Sequence, residues 1–175
     1  MPAFYHLAQL NIARMKAPLD HAAMAGFVAQ LAPLNARADA SPGFVWRLKT
    51  EEGNATELRP WGDPLMLVNL SIWESVDALK AYVYGAGHGS ALRDRAQWFE
   101  KMDGPDSVLW WIPAGHIPSI EEARARLDHL SAHGDSAVAF SFAKAYSAPA
   151  DPGEIPPADT DVTGAINCRL EIVVT

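Results

Sequence analysis

The chain has 175 residues, 49% of them hydrophobic and 20% charged, with a formal net charge of -7. That acidity argues against nucleic acid, which demands a clustered cationic face, and against an anionic membrane surface. The single cysteine, Cys168, rules out an intrachain disulfide and fits a reducing compartment.

Met1 to Leu10 lacks a positive region followed by a long apolar run, so no signal peptide is expected. No stretch reaches the about 18 uninterrupted apolar residues of a membrane span. A cytoplasmic protein with one main core is the expectation, since a chain of this length removes roughly 70% of its unfolded surface from water.

Residues 4–12 read as a first strand, with His6, Ala8, Leu10 and Ile12 on one face and Tyr5, Leu7, Gln9 and Asn11 on the other. Residues 20–39 read as a helix: Asp20 can cap it, Met24, Phe27, Leu31 and Leu34 fall at helical spacing, and Pro33 should kink it or disturb its last turn. Ser41-Pro42-Gly43 forces a turn. Phe44 to Thr50 alternates as a second strand, with Phe44, Trp46 and Leu48 on one face and Val45, Arg47 and Lys49 on the other. Residues 51–64 are a polar, breaker-rich hairpin connection.

Leu65 to Trp73 is a third strand. Met66, Val68, Leu70 and Ile72 form an apolar face suited to packing under helices, while Leu65, Leu67, Asn69, Ser71 and Trp73 form a mixed one. Ser75 caps a helix bearing Leu79, Tyr82 and Val83, which the run from Gly85 to Gly89 breaks. Ser90 restarts it with Leu92, Ala96, Phe99 and Met102 on one side. Val108 to Ile112 is a fourth strand, apolar on both faces. Ser119 and Glu122 then make a capping box for a helix lined by Ile120, Ala123, Leu127 and Leu130, which Gly134 can end.

Residues 1–146 thus form the domain. Residues 147–164, with four prolines, several acids and no Lys or Arg, are a linker or arm, and residues 165–175 alternate as a C-terminal strand. The order β-α-β-β-α-β is the ferredoxin-like split βαβ motif of the α+β class: a four-stranded antiparallel sheet with helices on one face. The other face, expected to carry Gln9, Asn11, Asn69, Ser71 and several tryptophans, is too apolar to leave wet. A second copy covering it, as a homodimer enclosing a cavity, is the expectation.

Several segments in this order carry a resemblance: Leu7 to Ile12, Ser41 to Leu48, Leu70 to Ser75, His88 with Arg93, Arg95, Trp98 and Phe99, and Leu109 to His116. Together they resemble a bacterial and fungal family, domain of unknown function 3291, over about residues 4–145. That family is similar to the antibiotic-biosynthesis monooxygenase group of the dimeric α+β-barrel superfamily. The superfamily holds cofactor-free oxygenases, lactone isomerases, polyketide cyclases and haem-binding proteins, so the resemblance implies a geometry and leaves the chemistry open.

His88 sits between two glycines at a helix break. The resemblance makes it a general base or a haem ligand; the alternative is a surface histidine in a turn. Trp46, Trp73, Trp98, Trp110 and Trp111 could wall a cavity for a planar ligand, or simply pack a core; Trp110 and Trp111 point to opposite faces. Arg47 and Arg93 could hold an anionic group, and Arg95 reads as a solvated helix residue beside them. Asn11 and Asn69 are candidate oxyanion stabilisers. His116 could reach a pocket mouth or hydrogen-bond the next helix start. His129 and His133, four apart, lack a third metal ligand, and Cys168 reads as a small buried residue. No metal and no bound cofactor is expected, with haem as the alternative. The function expected is cofactor-independent monooxygenase-like, cyclase or isomerase chemistry on a small hydrophobic, planar aromatic or polyketide-type metabolite. A non-catalytic ligand-binding dimer is the remaining reading.

Overall fold

The structure, a computed structural model, describes residues 4–49, 60–85 and 95–150. Thr50, residues 51–59 of the hairpin connection, His88, Ser90, Leu92 and Arg93, and the chain from 151 onward with Cys168 and the C-terminal strand, lie outside these residues.

Among the described residues there are four strands: β1 (Tyr5–Arg14), β2 (Phe44–Arg47), β3 (Met66–Trp73) and β4 (Ser107–Pro113). Among the described residues, α1 (Ala25–Asp39) lies between β1 and β2, α2 (Val76–Tyr84) follows β3, and α3 (Ile120–His133) follows β4. The sheet order is β2-β3-β1-β4, with every neighbouring pair antiparallel. This is the ferredoxin-like α+β arrangement that the element order implies. None of the described helices is long and apolar enough to cross a membrane.

The caps show how locally the helices are specified. Ser75 Oγ accepts from the Ala78 N–H at 3.1 Å, and Ser119 Oγ accepts from the Glu122 N–H at 3.1 Å. Gly134, at φ 74°, ends α3. At the first helix the expected Asp20 cap is replaced by His21, whose Nδ1 accepts from the Ala23 N–H at 3.1 Å. A single 3-10 turn, Ala22–Met24, then leads into α1, which runs on through Pro33.

β2 departs from simple alternation. Phe44 opposes Trp73, Trp46 opposes Ile72 and Arg47 opposes Ser71, with a bulge between Phe44 and Trp46. The extra residue moves Phe44 away from Trp46 and onto the face of Arg47. Gly43, at φ 78°, supplies the left-handed turn before the strand; a Cβ there would stand 2.6 Å from Ala78 Cβ.

The two faces are covered in the reverse of the expected way. Ala38 of α1 and Leu79 and Tyr82 of α2 pack with Leu7, Trp73, Leu109 and Trp111, on the mixed face that also bears Gln9, Asn11, Asn69 and Ser71. The apolar face of Ala8, Leu10, Ile12, Val68, Leu70, Ile72, Val108, Trp110 and Ile112 instead packs with Ala123, Leu127 and Leu130 of α3. Trp110 Nε1 donates to Glu122 Oε1 at 3.2 Å, and the Arg124 guanidinium lies 5.0 Å from the Trp61 ring centre. Leu10, Leu70, Val108 and Trp110 are each 0% exposed in the single chain, so no second copy is needed to cover this face. The physical reason is economy of contact: an added amphipathic helix buries a wholly apolar face more completely than a mixed one, whose amides must keep hydrogen-bond access.

Candidate ligand-binding site

The register of β1, β3 and β4 places polar side chains in adjacent rows on the mixed face. Gln9 lies between Ser71 and Leu109, and Asn11 lies between Asn69 and Ser107. α1 and α2 ride over these rows without closing on them. The gap is a cavity of about 290 Å³, at the small end of the range for ligand sites, which starts at roughly 300 Å³. Its roof and walls are Phe27 and Leu34 of α1, Tyr82 and Val83 of α2, Trp98 at the end of the helical turn at 95–98, and Phe99, which follows that turn. Phe27 meets the Trp98 ring at 5.9 Å and the Phe99 ring edge-on at 4.9 Å, so the aromatic wall is one packed unit. Gly26 permits this approach: a Cβ there would lie 3.2 Å from the Trp98 ring.

The floor carries unspent hydrogen-bonding capacity. Ser71 Oγ donates to Gln9 Oε1 at 3.1 Å and accepts from Trp73 Nε1 at 3.0 Å. Asn69 Oδ1 is buried and has no partner among the described residues. The amide of Asn11 likewise makes no hydrogen bond to a described residue, though it lines the cavity. A buried acceptor left unpaired costs about 1–3 kcal/mol, so a hydrogen-bond donor placed beside Asn69 Oδ1 would be stabilised there.

One ion pair stands at the rim. Arg95 Nη2 is 2.8 Å from Asp106 Oδ2, both side chains are about a third exposed, and both line the cavity. The Asp106 carbonyl accepts from the Ile12 N–H at 2.8 Å, which ties the pair to β1. A broader cleft of about 390 Å³ lies outside, between Ser41-Pro42-Gly43 and α2. It shares Tyr82 with the cavity but none of the amides, and Arg37 there already donates to the Tyr82 carbonyl at 3.2 Å.

Of the residues singled out in the sequence, Asn11, Asn69 and Trp98 line the cavity. Trp46 does not, because the β2 bulge turns it to the apolar face. Arg47 is 5% exposed and held by Asp39, with Nε to Oδ1 at 2.6 Å and Nη2 to Oδ2 at 2.9 Å, while its Nη1 is buried with no hydrogen-bond partner among the described residues. The Arg47 guanidinium donates to the Asp39 carboxyl and holds it below the usual carboxylate range. Trp73 is fully buried, stacked on Tyr82 at 5.1 Å, and reaches the floor only through Ser71. Trp111 donates to the Tyr146 carbonyl at 2.9 Å and packs with Phe140 beyond the cavity. His116 Nε2 is 2.8 Å from Glu122 Oε2 at the start of α3, the structural role open to it. His88 and Arg93 lie outside the described residues. His129 and His133 stack at 4.5 Å, and no cluster of three metal-capable side chains occurs among the described residues.

Sequence reading missed Gln9 as a site residue, and Phe27, Tyr82, Arg95 and Asp106 as lining. Gln9 carried a signal, a polar residue in a strand bounded by Ala8 and Leu10. Arg95 stands among the candidate arginines but reads as solvated, and nothing in the sequence ties it to Asp106, eleven residues on.

The model of the family described as domain of unknown function DUF3291 matches residues 6–154. The chain belongs to this family. No curated protein gives a significant match. Among solved structures, a mutant form of SnoaB, a cofactor-independent oxygenase from Streptomyces nogalater, is 18% identical over 66% of this chain and 97% of its own, at a TM-score of 0.41. A putative antibiotic biosynthesis monooxygenase from Nitrosomonas europaea is 11% identical over 66% and 95%, at 0.41. Another from Chloroflexus aurantiacus is 12% identical over 66% and 98%, at 0.39.

Proposed function

We propose that this DUF3291 protein binds a small planar metabolite with a phenolic or enolisable oxygen and acts on it by cofactor-independent, monooxygenase-like chemistry. The observation that carries this reading is the floor of Gln9, Asn11 and Asn69 amides under an aromatic roof. A flat ring fits between the Phe27–Trp98 wall and the sheet, and its oxygen meets the amides. Loss of a proton from the substrate builds negative charge on that oxygen, and the amide N–H dipoles of the floor stabilise it. The electron-rich substrate is then itself the reductant of dioxygen.

For the proton acceptor we assign His88. It lies in the stretch between Tyr82 and Val83 on one side and Arg95 on the other, all three of which line the cavity. The described lining itself offers amides, hydroxyls, one carboxylate and one guanidinium, and no imidazole or thiol. A haem reading would therefore hang on His88 alone, with Arg95 already paired to Asp106.

The test is an anaerobic titration of the purified protein with planar phenols and hydroquinones, followed by quenching of tryptophan fluorescence, then oxygen uptake on admitting air. Saturable quenching and substrate-dependent uptake are expected, with Asn69→Ala lowering kcat by roughly 10²–10³ as loss of an oxyanion donor does. A panel that gives neither quenching nor uptake would refute the proposal.

A further inference from the structure

We infer that Trp73 and Ser71 fix Gln9 as a hydrogen-bond donor to the cavity, so that the site selects a ligand whose facing oxygen is anionic. The inference deepens the function proposed above and rests on it. Indole nitrogen can only donate. Trp73 is 0% exposed, stacked on Tyr82 with rings 29° apart and edge-on to Phe44 at 5.3 Å, so packing fixes where that N–H points. It points at Ser71 Oγ, 3.0 Å away.

Ser71 is 2% exposed, and its hydroxyl has two partners, Trp73 and Gln9. With the indole donating, the hydroxyl proton must go to Gln9, which can take it only on Oε1. The reversed amide would aim two donors at Ser71 and strand a buried O–H, which disfavours it by roughly tenfold to a hundredfold. Arg47, the cross-strand neighbour of Ser71 on β2, has only donors and offers that proton no acceptor. Gln9 Oε1 is thus turned to Ser71, and the amide nitrogen is the end left for the cavity, with no acceptor among the described residues. Asn11 and Asn69 have no such constraint and can turn either end to a ligand. The floor therefore combines one fixed donor with two adaptable amides, an arrangement that favours phenolate or enolate oxygen over a hydroxyl that must itself donate.

The experiment uses the full chain and para-nitrophenol, whose ionised form is read directly by its visible absorption. Binding is followed by tryptophan quenching across a pH series. In the wild type, the bound probe should ionise about tenfold more readily than the free probe, the worth of one hydrogen bond to a charged group. Gln9→Glu, which puts an acceptor in place of the donor, should abolish or reverse that preference. Ser71→Ala and Trp73→Phe should both bind the probe with the preference reduced several-fold. Should Trp73→Phe fail to fold, Ser71→Ala alone carries the test of the relay, because it leaves the tryptophan core intact.

A bound probe that ionises as it does in free solution overturns the inference while leaving the cavity reading in place. So does Gln9→Glu with the wild-type preference. Full preference in Ser71→Ala overturns the relay. Absence of quenching by the probe at every pH removes the cavity reading and this inference with it.

Discussion

Replacing Leu127 by alanine tests whether α3 truly seals the apolar face. Leu127 is 7% exposed and packs in the cluster that holds Leu10, Leu70 and Trp110. Complete burial of a leucine is worth about 1.5–3 kcal/mol, and truncation to alanine in a core costs about 2–5 kcal/mol once the cavity left behind is included. Leu127 borders solvent, so its site can partly relax and the lower half of the range applies, about 2–3 kcal/mol. For a chain of this size that lowers the melting temperature by about 5–10 °C. Asp128, one residue on, is the control: its side chain is 68% exposed, and it meets Arg124 at 3.5 Å. Asp128→Ala should cost under about 0.5 kcal/mol, as exposed helix pairs do. Urea unfolding followed by tryptophan emission suits the measurement, because Trp110 is bonded to Glu122 on the same helix. Equal urea midpoints for Leu127→Ala and Asp128→Ala would mean that α3 is not docked, and would return the apolar face to a partner.

Gly43→Ala should destabilise by more than about 1 kcal/mol, since φ of 78° is costly for any side chain and the new methyl group meets Ala78 at 2.6 Å; thermal unfolding measures it, and a wild-type melting temperature would refute the turn geometry. Acid should weaken the fold through Asp39 and Asp135. The Arg47 guanidinium lowers the pKa of the first, and hydrogen bonds from Ser141 lower that of the second. A depressed folded-state pKa stabilises fully above the unfolded value, about 4, and the gain is lost as pH falls through the folded value. The urea midpoint should therefore be flat above about pH 5 and drop below about pH 4, less steeply in Asp39→Asn; a midpoint independent of pH would refute it.

Much of the fold was legible because its signals are local. Ser75 and Ser119 each stand directly before an amphipathic run, and both cap as the sequence implies. Alternation in β1 and β3 sorted side chains between the two faces correctly, which is why Asn11 and Asn69 emerged as site residues and do line the cavity. What alternation cannot carry is an insertion. One bulged residue in β2 sent Phe44 and Trp46 to opposite faces, and with them the guess that Trp46 faces a ligand. Nor does composition reveal pairing at a distance. Arg47 and Arg95 are equally basic in sequence, yet Asp39 buries the first as structure while Asp106 holds the second at the cavity rim.

The exchange of faces has a further consequence. A strand face that mixes amides with large apolar residues can be left for a second copy or roofed by the chain's own helices, and polarity alone does not choose between them. The geometry of α1 does. Phe27, Leu31 and Leu34 recur at helical spacing but are only half buried, while Ala38 at the far end of the helix is 0% exposed. Between the buried Met24 before the helix and the buried Ala38 near its end, Phe27 and Leu34 stand over the cavity whose floor is Gln9, Asn11 and Asn69. Apolar contact pulls helix and sheet together only where both sides offer it. Over the amides there is no such pull, and the packing opens. The same three residues that would hold a ligand oxygen are thus the reason there is room for the ligand.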